Sequence, residues 1–185
     1  MRVTHYMIWI AWVIIAGFFV FALAASSAIP FSNTPVSFAT VVRSVSFSSF
    51  VSQFLRPWHA IALAFSAVPV VVHTWTRSHR IRVWIPVLCL ALLLLWFIAP
   101  PLVMAFAHSE ITSFLPSMLL KSFAQWFIAI PVAPVFTFGA VAGRHDGEFY
   151  EEGMLAYAGM GWWMLLCLVL LVRAWVEKRR ATKEA

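Results

Sequence analysis

The sequence predicts an all-α integral membrane protein with four transmembrane helices, or five, and two amphipathic helices in the interface on the outer face. Three observations carry this. Of the 185 residues, 63% are apolar and only 11% charged, whereas a soluble domain is about a quarter charged and roughly half apolar. The mean hydropathy is +0.89. The apolar residues are also gathered into runs long enough to cross a bilayer. A chain this short has too much surface for its volume to hide such a fraction from water. A soluble enzyme and a disordered regulator are thereby excluded.

The elements follow in order. Residues 6–29 are an uninterrupted apolar run, which at 1.5 Å per residue covers the roughly 30 Å of a hydrocarbon core. Arg2, this run and Ala22-Leu23-Ala24 imitate a signal peptide. The run is longer than a signal core and carries Trp9 and Trp12, so an uncleaved first span is expected. Within 32–56, Phe47, Phe50, Val51, Phe54 and Leu55 share a helical stripe opposite Ser48, Ser49, Ser52 and Gln53, the pattern of a first interfacial helix. Residues 57–76 form the second span, with Trp58 and Trp75 placed as interfacial anchors. The third, 82–107, contains Pro100 and Pro101, which are expected to kink it or end it early.

Between 111 and 142 the pattern divides. Ile111, Phe114, Leu115, Met118, Leu119 and Trp126 fall at helical spacing, with Ser113, Ser117 and Lys121 on the other side, as in a second interfacial helix. Residues 126–142 are apolar but contain Pro131 and Pro134. That stretch is at the lower limit for a crossing, so it reads as re-entrant or as a fifth span. The last span is 154–176, closed by Arg173, Lys178, Arg179 and Arg180. No repeat, linker or charge run divides the chain, and 1–185 is expected to be a single membrane domain.

Thirteen Lys and Arg stand against seven Asp and Glu, a net charge of +6. With four crossings and both termini inside, the inner side holds Arg2, Arg77, Arg80, Arg82, Arg173, Lys178, Arg179, Arg180 and Lys183. Arg43, Arg56, Lys121 and Arg144 remain outside. Five crossings would strand the Arg77, Arg80 and Arg82 cluster outside. The positive-inside bias therefore favours four, with both termini cytoplasmic and 108–153 on the outer face, most simply in a bacterial inner membrane. Cations beside apolar spans meet lipid head groups, so the lipid bilayer and not nucleic acid is the expected partner.

Apart from their ends, the spans contain no Asp, Glu, Lys or Arg. Ion pumps and proton-coupled transporters need such groups near mid-membrane. No HExxH, carboxylate pair or phosphate-binding glycine loop is present, and no catalytic residue is assigned. Cys89 and Cys167 lie in apolar runs without a CxxC partner and read as small core residues.

Histidine is the exception. His59 and His73 are 14 residues apart on the second span, displaced by about 40° around the helix and about 21 Å along it. Ala62 and Ser66 lie between them, small enough to admit a flat group or another helix. In the four-span arrangement His108 is level with His59 and His5 with His73. This spacing resembles that of di-haem b-type cytochromes, which implies haem b held by His59 with His108 in one leaflet and by His73 with His5 in the other. The chain departs from that pattern because the third and fourth spans have no internal His. The competing reading makes His59 and His73 polar caps at the two interfaces. In the loop Arg144-His145-Asp146-Gly147-Glu148, His145, Asp146 and Glu148 are a candidate divalent-cation set. A solvated turn between apolar segments would have the same composition.

The function expected is that of a non-catalytic multi-pass inner-membrane protein without cofactor, a subunit or accessory partner of a membrane complex. Small residues at Ala60 and Ala64, and the pair Trp162 and Trp163, suit packing against another integral membrane protein, although Trp162 and Trp163 equally suit the core. The alternatives are a small di-haem b-type cytochrome or haem-bearing anchor in quinone-linked electron transfer, and a membrane immunity or exclusion protein.

Overall fold

The computed structural model describes residues 2–28, 42–43, 45–107, 114–141 and 152–184. Among them are six helices and no strand: α1 (Arg2–Ala28), α2 (Phe47–Phe54), α3 (Pro57–Trp75), α4 (His79–Ala107), α5 (Leu115–Val141) and α6 (Glu152–Glu184). Four helices are long and apolar enough to cross a membrane, over Thr4–Phe21, His79–Val103, Leu115–Val135 and Ala158–Lys183. His59–Trp75 is a shorter apolar helix.

Local chemistry sets the boundaries. The Ser46 hydroxyl accepts the Ser49 N–H at 3.1 Å and starts α2, supplying one of the orphan donors of a helix N-terminus. Pro57 opens α3, where its fixed φ suits a first turn and its missing N–H is no loss. Thr76 turns extended and ends α3, and Arg82 Nε donates back to the Thr76 carbonyl.

α4 runs through Pro86, Pro100 and Pro101 to Ala107, so the proline pair does not end it early. Of the stretch 111–142, read as interfacial, re-entrant or a fifth span, Leu115–Val141 is one continuous helix, α5, which contains Pro131 and Pro134 and over Leu115–Val135 is long and apolar enough to cross a membrane. Each proline removes only its own backbone donor, and the helices continue on either side of it.

α6 is the hub, packed against α1, α3, α4 and α5. One side, with Trp163, Met164 and Cys167, is buried with Cys89 and Leu90 of α4 and Ala129 of α5. Another, with Leu166 and Leu170, is buried with Ile8 of α1 and Val70 of α3. Gly161 lets α5 come close: a Cβ there would collide with the Ala129 carbonyl and lie 2.7 Å from the Ala133 Cβ.

Contacts along these seams fix the directions. Arg173 reaches Thr4 while Gly159 lies by Phe19, so α1 and α6 are antiparallel. Trp12 bonds Ser66 while Ile8 clusters with Val70, so α1 and α3 are antiparallel. Arg82 pairs with Glu177 while Cys89 and Cys167 share a cluster, so α4 and α6 are antiparallel. The start of α1, the end of α3, the start of α4 and the end of α6 therefore meet at one end of the bundle, the termini end. α4 finishes and α6 begins at the opposite end.

Outward faces are apolar. On α4, Ile81, Trp84, Leu88, Leu92 and Leu95 are all exposed at three- and four-residue spacing, a continuous strip that water would disfavour.

Candidate functional site

The chemistry-bearing side chains converge at the termini end. His73, in the last turn of α3, is 1% exposed. Neither of its ring nitrogens has a hydrogen-bond partner. A buried donor or acceptor left this way costs about 1–3 kcal/mol. Arg173, Glu177, Arg82 and His5 all stand within electrostatic reach of the ring.

Beside it, two guanidiniums share one carboxylate. Arg82 Nη1 donates to Glu177 Oε2 at 2.8 Å, and Arg173 Nε donates to Glu177 Oε1 at 2.9 Å. Arg173 Nη2 also donates to Thr4 Oγ1 at 3.2 Å. With the bond from Arg82 to Thr76, this knot ties α1, the turn after α3, α4 and α6 together. The three side chains remain between 20% and 36% exposed, so each pair is screened and contributes about 1 kcal/mol or less.

At the opposite end, His59 Nδ1 lies 3.2 Å from the Gln53 carbonyl. A carbonyl only accepts, so this contact places a proton on Nδ1. The structure thus brings His5 and His73 to one end and sets His59 at the other. His108, the expected partner of His59, lies outside the described residues, as do His145, Asp146 and Glu148. Among the described residues no group of three or more His, Cys, Asp or Glu is placed to hold a metal ion.

The face of α3 between the histidines is occupied at Ser66, while Ala62 is exposed. Ser66 Oγ accepts from Trp12 Nε1 at 3.1 Å and donates to the Leu63 carbonyl at 2.7 Å. The Ser66 carbonyl accepts from Trp163 Nε1 at 3.0 Å. Ser66 is therefore the meeting point of two indoles and not a gap for a flat group. Trp162 also turns inward, donating to Thr137 Oγ1 at 2.9 Å. Of the two places the sequence allowed for Trp162 and Trp163, the structure takes the internal one.

Sequence reasoning did not single out Glu177. Its signals were present: it stands four residues after Arg173, a spacing that pairs charges on a helix, and it is a lone acid in a basic stretch. Its link to Arg82, 95 residues away in sequence, needed the fold.

No family model, curated protein or solved structure matches this chain.

Proposed function

We propose that this chain is a non-catalytic multi-pass membrane protein, a subunit or accessory partner of a membrane complex. It would sit in the inner membrane of a bacterium with both termini cytoplasmic. The observation that carries the reading is how the polar side chains are used. Trp12, Trp163, Trp162, Ser66, Thr137, Arg82, Glu177 and Arg173 bond helix to helix, while the outward faces are apolar. Such a molecule acts through the surfaces it offers.

The topology is part of the proposal. The termini end carries Arg77, Arg80, Lys178, Arg179, Arg180 and Lys183, and a cation excess of this kind belongs to the cytoplasmic side. Because α4 ends and α6 begins at the opposite end, the four-span arrangement requires that α5, although long and apolar enough to cross, does not carry the chain to the other side. Alkaline phosphatase fused after Ala142 should be active, whereas fusions after Lys183 should be inactive. Activity at the C-terminal fusion would refute the arrangement.

A haem-bearing anchor is the second reading, and His73 is what favours it: a buried imidazole with two free nitrogens, near a second histidine. The packing inward of His5 and His73 weighs against a haem between them. One turn inward, Ile8 clusters with Val70, and two turns inward Trp12 bonds Ser66, so α1 is closed onto α3. An oxidised-minus-reduced spectrum of protein from haem-replete cells is expected to be flat, and a stoichiometric b-type band would reverse the order of the two readings.

A further inference from the structure

We propose that the termini end holds the phosphate groups of anionic phospholipid, through the last turns of α6 and the turn between α3 and α4. The proposal rests on the reading that these helices cross a membrane. On one face of α6, Val169 and Val172 are exposed, followed by Trp175, half exposed. The Arg179 guanidinium then lies 3.7 Å over the Trp175 ring, and Lys183 follows. Apolar, aromatic and cationic groups thus succeed one another along a single strip. That is the order of acyl chain, interface and head group in a leaflet.

The charge at this end is uncompensated. Glu177 is taken by Arg82 and Arg173. Beyond it, residues 178–184 carry Lys178, Arg179, Arg180 and Lys183 against Glu184 alone. Arg77 and Arg80, exposed in and just after the turn, reach the same end because Arg82 is anchored on Glu177. A shallow notch beside Trp175 is lined by Lys178, Arg179, Thr182 and Lys183. An acidic protein would match the cations but gives no reason for the apolar strip running into them, whereas a phospholipid matches both. Stacking on Trp175 holds the Arg179 cation at the depth where the phosphate lies.

The test uses the full chain in mild detergent, with brominated phosphatidylglycerol or brominated phosphatidylcholine added as mixed micelles. Quenching attributable to Trp175 is read as the difference from Trp175→Phe. Each cation near an anionic lipid surface is worth on the order of fivefold in partition. We expect phosphatidylglycerol to quench at a concentration at least about tenfold lower than phosphatidylcholine. The triple variant Lys178→Gln, Arg179→Gln, Lys183→Gln should bring the two lipids close to parity, and Arg43→Gln should leave the preference intact. Equal quenching in the wild type, no change in the triple variant, or the same loss with Arg43→Gln would overturn the proposal. So would binding of polyglutamate without any lipid preference, which would mark a protein-facing surface. Carbonate extraction separates the two levels: release of the chain defeats the membrane reading, while retention with equal quenching defeats the lipid site alone.

Discussion

Gly161 and Gly17 are both glycines in long helices, yet a methyl group means opposite things at each. At Gly161 it meets the Ala129 carbonyl and Ala133, and at Gly17 it meets nothing within 4 Å. We expect Gly161→Ala to cost about 1–3 kcal/mol through overpacking. Gly17→Ala should be neutral or stabilising by up to about 1 kcal/mol from helix propensity. Thermal unfolding in detergent reads both, and equal effects would mean that α5 does not approach α6 this closely. His73 gives a second contrast. Its two ring nitrogens are buried and unpartnered, so His73→Leu removes an unsatisfied group and should leave the melting temperature unchanged or raise it. A clear fall would show that those nitrogens are engaged in the working protein. Ser66→Ala should cost about 0.5–1.5 kcal/mol by stripping Trp12 of its acceptor. A double-mutant cycle with Trp12→Phe should show coupling, and additivity would argue against the bond.

Among the elements, helix type was legible from three- and four-residue spacing and from apolar runs far longer than a strand. The stripe of Phe47, Phe50, Val51 and Phe54 became α2, and Ser46 capped it. Proline misled. Pro100 and Pro101 weaken a helix in water, but α4 passes through them. The polar residues at 113, 117 and 121 suggested an interfacial segment, although Leu115–Val141 is a single helix packed on α4 and α6. What no local pattern encodes is which helices touch, and so Glu177 stayed unremarked until α4 was laid beside α6. The knot it forms can be tested as a unit. Glu177→Gln leaves two guanidiniums facing each other and should destabilise by on the order of 1 kcal/mol, more than Arg82→Gln alone. Adding Arg82→Gln to Glu177→Gln should then cost less than Arg82→Gln alone in the same unfolding experiment, the remainder being its bond to the Thr76 carbonyl. Additive losses would mean that the pair is not formed.

At the scale of the whole molecule, the sequence located the cations and the apolar runs, and hence an expected orientation. It also placed His5 level with His73, as the structure does at the termini end. It did not reveal that Ser66 would be closed over by Trp12 and Trp163, because those indoles come from helices far away in sequence. That closure makes Ser66 a packing point between α1, α3 and α6. The central claim is that the chain works in contact with another integral membrane protein. Its most direct test is the composition of the particle recovered from native membranes in mild detergent. We expect a second membrane protein at a fixed ratio to this 20.9 kDa chain. A lone monomer under every gentle condition would contradict the account.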